Sequence, residues 1–252
     1  MSSEQERYNV DRHYRALHGG HDLHYFRVQL KETDLAIGVD KSSYTDSLLV
    51  WCEREVLRLR GALESYIRLH PEFRSSFVPL PLLPGAPPLA LAMSRAAYKT
   101  GVGPMAAVAG AIAQEVGRRI GNRVQDVIVE NGGDIYMNSS VDRLIAVYAG
   151  SSRFSRKIAL RVAAVECPLG ICTSSGTVGP SVSLGKADAV VVKASDAALA
   201  DAAATGAANL VQSEQDLMRA VDYVQHIPGL NGVLAVKGEK LAAWGSIEIV
   251  AV

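Results

Sequence analysis

Cysteine is scarce in this sequence, and long apolar runs are missing. The 252 residues include three cysteines, Cys52, Cys167 and Cys172, which are too few for a disulfide framework and typical of a reducing compartment. No stretch approaches the roughly 18 consecutive apolar residues of a membrane-spanning helix, and the polar start MSSEQERYNVDRHYR lacks the apolar core of a signal peptide. The sequence therefore predicts a cytoplasmic protein without a membrane partner.

The sequence also has no excess of positive or negative charge. Lys plus Arg and Asp plus Glu each number 26, so the whole-chain charge gives no reason to expect nucleic acid or an anionic membrane as a partner. The apolar fraction of 48% is that of an ordinary globular protein. The length suits one large domain or two small ones.

One cysteine pair and one group of histidines are weak candidates for metal sites. Cys167 and Cys172 form one C-x4-C pair without further Cys or His nearby, which favours two separate, half-buried thiols over a metal or redox site. Four histidines near the start have spacings that match no zinc pattern well: His13, His18, His21 and His24. Because residues 25–38 have the alternation of a hairpin, we interpret these histidines as loop and hairpin residues.

Apolar periodicity predicts a mixture of helices and hairpin-connected strands. Apolar residues at steps of three and four over residues 45–70 indicate an amphipathic helix. A second helix, rich in Ala and Gly, should begin near Pro104 and end near Gly121. Accessible amides before this helix fit an anion site, whereas its small residues fit tight packing on a sheet, and both interpretations stay open. Apolar segments indicate strands at residues 126–130, 135–137, 144–147, 157–165 and 187–192.

The stretch 171–211 contains the most informative pattern. A Ser/Thr/Gly loop precedes an apolar strand, and an alanine-rich helix should follow with Ser195 as its N-cap. Asp201 and Thr205 are four residues apart, so they lie on the same face of that helix. A carboxylate and a hydroxyl there could hold Mg²⁺ beside a phosphate. The alternative is a packing helix whose Asp points into water.

The segment Asn131-Gly132-Gly133-Asp134 follows the predicted strand at 126–130. Asn and Gly tolerate a positive φ, so the first interpretation is a hairpin turn. The same turn could also bring bare backbone amides against a ligand, with Asp134 as an acceptor. Turn chemistry is the favoured of the two.

Three stretches together resemble an uncharacterised branch of the ApbE-like superfamily, whose named members are FAD:protein FMN transferases. The stretches are GVGPMAAVAGAIAQ, VIVENGGDIY and GICTSSGTVGPSVSLGKADAVVV with ALADAAAT, and the resemblance covers about residues 85–250. It implies an α+β, T-fold-like architecture of duplicated antiparallel sheets backed by helices. Residues 1–252 would form a single domain of two intertwined α/β halves, with a flavin nucleotide between them.

The resemblance also implies a set of site residues. Asp201 and Thr205 would hold Mg²⁺, and the turn of Asn131, Gly132, Gly133 and Asp134 would lie near the nucleotide. The flavin pocket would be lined by Thr173, Ser174, Ser175 and Gly176. The implied reaction transfers FMN from FAD to a hydroxyl group of a target protein, and AMP leaves. A flavin or nucleotide and a target protein would be the partners, and nothing here assigns a catalytic base.

The sequence departs from the transferase pattern in two places. Ala109 and Gln114 stand where the transferases usually carry Lys and Asp, and the loop GTVGPSVSLGK has Pro180 where His is more usual. A transferase and a catalytically divergent relative therefore both stay open. For the latter, the resemblance to branch members in anaerobes implies an accessory role in sulfur assimilation or homocysteine formation, in which Cys167 and Cys172 would handle sulfur. A third alternative is a homo-oligomer that forms across the smooth Ala/Gly helices.

Overall fold

The computed structural model describes residues 22–176 and 184–252. Its α-helices are α1 (Asp46–Leu69), α2 (Glu72–Ser75), α3 (Pro88–Thr100), α4 (Val108–Ile120), α5 (Ala197–Asn209) and α6 (Leu217–Gln225). Short 3₁₀ turns occur at Pro104–Ala107, Ala164–Glu166 and Glu214–Asp216. No helix in the described part of the chain is long and apolar enough to cross a membrane.

The strands form two antiparallel sheets. They are β1 (Leu23–Leu30), β2 (Thr33–Asp40), β3 (Val127–Asn131), β4 (Asp134–Asn138), β5 (Arg143–Ala146), β6 (Ile158–Val162), β7 (Leu169–Ser174), β8 (Ala189–Ala194), β9 (Leu230–Lys237), β10 (Lys240–Gly245) and β11 (Glu248–Ala251). The large sheet has the order β1-β2-β3-β4-β7-β8-β9-β10, and the small one has the order β11-β6-β5. Every pairing is antiparallel.

The large sheet is covered on both faces. The helices pack on one face around a core that includes Val129, Cys172 and most of α5, and the small sheet packs on the other face around Met137 and Leu160. Strands β3 (VIVEN) and β8 (AVVVKA) are therefore buried along their whole length, including the polar residues Glu130, Asn131 and Lys193. The central position of β3, β4, β7 and β8 places their ends against α4 and α5.

The same succession of elements occurs twice along the chain. The hairpin β1–β2 is followed by α1 to α4 and the hairpin β3–β4, and the antiparallel pair β7–β8 is followed by α5, α6 and the hairpin β9–β10. The two sets of four strands lie side by side in one continuous sheet. A duplicated unit, expected from the resemblance, predicts such a succession, and the duplication itself stays a prediction.

Several sequence predictions can be compared with these elements. The helix predicted over 45–70 is confirmed as α1, with Thr45 as its N-cap. The prediction that Ser195 caps the alanine-rich helix is wrong. The N-cap is Asp196, whose carboxylate accepts hydrogen bonds from the backbone N–H groups of Ala198 and Leu199. The strand predicted at 144–147 is confirmed as β5, which pairs with β6 in the small sheet.

The predicted histidine group falls largely outside the described residues, since His13, His18 and His21 precede residue 22. His24 lies in β1 as expected for a hairpin residue, and its ring stacks on Tyr44 with centroids 3.7 Å apart. The loop around Pro180 also lies outside the described residues. The smooth helices α4 and α5 are mostly buried in the protein core, and the oligomer of the third alternative stays a prediction.

Candidate functional site

The carboxylate of Asp201 lies against the first turn of α4. Asp201 is a buried residue of α5, and its Oδ2 accepts the backbone N–H of Gly110 at 2.8 Å. A side chain at Gly110 would not fit, because a Cβ there would lie 2.3 Å from the carbonyl oxygen of Ala197. Small residues therefore allow α4 and α5 to pack tightly, and the N–H of Gly110 is occupied by a carboxylate of the same chain. The anion site expected at the amides before α4 stays a prediction.

The turn at 131–134 is the two-residue hairpin that its sequence predicts. Gly132 and Gly133 have φ angles of 71° and 106°, as a type I′ turn requires, and they connect the paired residues Asn131 and Asp134. The Asn131 side-chain amide donates to the carbonyl oxygen of Ala109 at 3.2 Å. The turn is thereby attached to the start of α4.

Asp134 connects this turn to β7. One of its carboxylate oxygens accepts the backbone N–H of Thr173 at 3.3 Å. Strands β4 and β7 are neighbours, so the end of β7, which leads into residues 173–176, lies beside the turn. The structure thus brings Asp134, Thr173 and Asp201 together from three elements, and their role as site residues stays a prediction.

Burial and like charge dominate the electrostatics of the two carboxylates. Burial, and then the neighbouring charge of Asp201, hold the pKa of Asp134 well above its usual value. Burial raises the pKa of Asp201 to about 7, against the opposing effect of the Gly110 and Ala109 amides. In the described part of the chain, neither carboxylate forms an ion pair with Lys, Arg or His. A bound cation would supply the missing positive charge.

The Ser/Thr/Gly segment and Thr205 complete the set of expected site residues. Thr173 is half-buried, Ser174 and Ser175 are buried, and Gly176 is exposed. Thr205 is half-buried and lies one helical turn beyond Asp201 on α5. Among the described residues, no three His, Cys, Asp or Glu side chains are grouped to hold a metal ion. The side-chain oxygen atoms of Asp201 and Thr205 are of the type that Mg²⁺ prefers, and this ion often takes few protein ligands and keeps waters or phosphate oxygens.

The two cysteines of the C-x4-C pair lie on opposite faces of the large sheet. Cys172 is buried in the helix-side core and donates to the carbonyl oxygen of Ala197 at 3.3 Å. Burial, followed by the charges of Asp134 and Asp201, raises its thiol pKa well above the usual value. Cys167 packs between the two sheets. Both thiols are free: Cys167 is half-buried as predicted, whereas the prediction is wrong for Cys172, which is fully buried.

Gln114, which the sequence marks only as a departure from the transferase pattern, connects α4 to α5. Its side-chain oxygen accepts the backbone N–H of Ala197 at 2.7 Å, and its amide donates to Asp196 at 3.3 Å. Together with the Asp196 cap, Gln114 satisfies the first amides of α5 and so positions Asp201 one turn later. Its polar character among small apolar neighbours was the available signal.

The chain resembles proteins of one sequence family along most of its length. Residues 15–224 match the model of the family described as AbpE bacteria. The chain is 35% identical over 222 residues to a UPF0280 protein of Methanocella arvoryzae, covering 88% of each protein. It is 38% identical over 229 residues to a UPF0280 protein of Methanopyrus kandleri, covering 88% of this chain and 91% of that one.

Solved structures with the same architecture include two from bacteria. The flavinyl transferase ApbE of Pseudomonas stutzeri, in its apo form, matches with a TM-score of 0.56 and 12% identity, over 88% of this chain and 94% of that chain. The flavin transferase ApbE of Vibrio cholerae matches with a TM-score of 0.54 and 14% identity, over 89% and 97%. At these identities the likeness shows the fold, and the expected α+β, ApbE-like fold is confirmed.

Proposed function

The chain belongs to the family described as AbpE bacteria, and we propose that it binds a flavin nucleotide, FAD, together with Mg²⁺. The observation that carries this proposal is the pair of buried carboxylates, Asp134 and Asp201, which have no cationic partner in the described part of the chain. The names of the solved neighbours, flavin transferases, support the same class of ligand.

Each element of the site has a role in this proposal. Asp201 and Thr205 supply oxygen ligands to Mg²⁺, and Asp134 adds negative charge beside them. When bound, Mg²⁺ neutralises the diphosphate of the nucleotide. Gly132 is exposed, and a Cβ there would have no atom within 4 Å, so the bare backbone of the turn can approach the nucleotide closely. Residues 173–176 line the flavin.

The proposed activity is Mg²⁺-dependent transfer of FMN from FAD to a hydroxyl group of a target protein, with release of AMP. A cytoplasmic location and a single domain of two related halves belong to the same proposal. The sulfur-assimilation alternative gains no support from the thiols, because Cys172 is buried and Cys167 lies on the other face of the sheet. We therefore favour the flavin role.

Equilibrium dialysis of FAD against purified protein in Mg²⁺ buffer tests the binding. We expect Asp201→Asn to weaken retention of FAD by at least about tenfold, because the variant lacks the charge that holds the cation. Asp222→Asn, an exposed Asp on α6, is the matched control and should bind like wild type. Equal retention by wild type and Asp201→Asn would contradict the proposed metal role.

The transfer step needs a separate measurement. Chromatography of the dialysed nucleotide, after incubation with Mg²⁺ and peptides that contain Ser or Thr, should show AMP appearing as FAD is consumed. FAD that is bound but stays intact with every peptide would contradict the transferase activity, while leaving the binding function in place.

A further inference from the structure

The outer face of α1 carries large aliphatic side chains that nothing in the described chain covers. The opposite face of this 24-residue helix packs on the sheet through residues such as Cys52, Val56 and Leu59. On the outer face, Val50 is 43% exposed and Leu57 is 60% exposed, and Leu69 near the helix end is 76% exposed. Because α1 packs on the edge strand β1, this face lies at one side of the molecule.

Gly61 lies on the same face of α1, and no contact in the described part of the chain requires a glycine at this position. It lies in the interior of α1, one turn after Leu57, where glycine destabilises a helix relative to alanine. Its φ is not positive, and a Cβ built on it would have no described atom within 4 Å. What glycine does allow there is the close approach of a second helix.

Residues of opposite charge lie beside these positions on the outer face of α1. Arg54 is exposed, and in the part of the chain that the structure describes it forms no ion pair or hydrogen bond. Glu64 lies ten residues later, and its side chain is 34% exposed while it contacts Lys31 and Arg60. Ten residues of helix span about 15 Å, so Arg54 and Glu64 of one chain cannot contact each other. Two copies in antiparallel arrangement can bring them together.

We propose that the outer face of α1 is the interface of a homodimer, with α1 packed antiparallel on α1 of a second copy. The two-fold axis passes midway between Leu57 and Gly61. Leu57 then packs on Gly61 of the partner subunit, and Arg54 faces the partner's Glu64. Two-fold symmetry makes each of these contacts twice, as expected for an isologous interface.

A groove beside α1 extends this interface. It has a volume of about 720 Å³, and its lining includes Val50, Trp51, Arg54 and Arg123. The Arg123 guanidinium stacks on the Trp51 ring at 4.7 Å. In the proposed register the partner's Leu69 comes opposite this groove, where it packs on the apolar side chains of Val50 and Trp51. One helix pair and a groove form a small interface, so the dimer should dissociate at concentrations on the order of micromolar.

Sedimentation velocity of the full-length protein, from roughly 1 to 100 μM, tests the proposal. We expect the mass to rise with concentration from one chain of 26.9 kDa toward two. Leu57→Arg should raise the dissociation constant by about tenfold or more. Val165→Arg is the matched control, because Val165 is 91% exposed in a short turn remote from α1 in the chain and should leave association unchanged.

Charge reversal identifies the partner as a second copy. Arg54→Glu and Glu64→Arg should each weaken the dimer, and the double variant should restore association, since the pair forms only between copies. Far-UV circular dichroism and melting curves verify that the variants fold. A wild-type protein that stays monomeric over the whole range, an unchanged dimer in Leu57→Arg, or no rescue in the double variant would overturn the proposal.

Discussion

At the residue scale, Asp40 joins the end of β2 to the start of β3, the strand that leads into the 131–134 turn. Its carboxylate accepts hydrogen bonds from the hydroxyl groups of Ser42 and Ser43 and from the backbone N–H groups of Gln125 and Asp126. Burial acts to raise its pKa, but these donors outweigh burial and lower the pKa to about 2.

This low pKa predicts a specific acid sensitivity. The unfolded state binds the Asp40 proton more tightly than the folded state does, so the contribution of Asp40 to stability is complete above about pH 4 and is lost as the pH falls toward 2. Asp40→Asn should lower the free energy of unfolding by about 1–2 kcal/mol at pH 7. Urea unfolding at pH 7 and pH 3 measures both effects, and an equal deficit of the variant at both pH values would contradict this account.

The cysteines provide a second prediction at this scale. Cys52 and Cys172 are fully buried, and burial raises the thiol pKa of Cys52 to about 12. Because thiolates are the reactive species, a thiol reagent at pH 8 should modify Cys167 alone, and slowly, in the folded protein. Mass spectrometry of the labelled protein, with a urea-unfolded control in which all three react, checks this. Rapid labelling of Cys172 would show that its site opens.

The sequence predicted the site residues unevenly. Asp201 and Thr205 follow from helical spacing and from the resemblance, and the turn at 131–134 follows from the turn preference of Asn and Gly. The N–H of Gly110 that meets Asp201 could not be predicted, because 91 residues separate the two partners along the chain. Contacts of this kind depend on how two helices cross, which local patterns do not specify.

At the scale of elements, the start of α5 determines where Asp201 lies. Asp196→Ala removes the side-chain cap of Ala198 and Leu199, and we expect it to lower the free energy of unfolding by about 1 kcal/mol. Ser195→Ala is the matched control and should change it by less than about 0.5 kcal/mol. Chemical unfolding of the two variants compares them directly. A larger loss in Ser195→Ala would restore the cap predicted from the sequence.

The crossing of α4 and α5 is the second critical feature at this scale. In Gly110→Ala, the added methyl group would lie 2.8 Å from the Cβ of Asp201 and closer still to Ala197. We expect a loss of about 1–3 kcal/mol in the free energy of unfolding from overpacking, together with weaker FAD binding. Gly121→Ala, at the end of α4 where a Cβ has ordinary contacts at 3.4 Å or more, should change both within experimental error.

The sequence predicted an element well where a periodic apolar pattern extends over many residues. It did not predict which strand a short segment pairs with. The 24-residue helix α1 has many apolar steps of three and four, so its position could be predicted closely. Strand β5 has four residues, and nothing in so short a segment specifies that it pairs with β6 and not with the large sheet. The cap of α5 was misassigned because Ser195 and Asp196 are adjacent and both suit an N-cap.

At the scale of the whole molecule, one continuous antiparallel sheet brings distant motifs together. The 131–134 turn and residues 173–176 meet because β4 and β7 are neighbours at the centre of that sheet, and α4 and α5 cover both. The class of fold was predictable from the three resembling stretches. The joining of two four-stranded sets into a single sheet, with a small sheet behind it, depends on pairings that the sequence does not display.

Calorimetric titration of FAD into the flavin-free, full-length protein, with Mg²⁺ and again with EDTA, tests the central claim most directly. The buried carboxylates Asp134 and Asp201 need a cation before a diphosphate can approach, so we expect affinity in Mg²⁺ to exceed that in EDTA by at least about tenfold. Equal affinity in the two buffers, or no binding in either, would contradict the proposal that this site holds FAD through Mg²⁺.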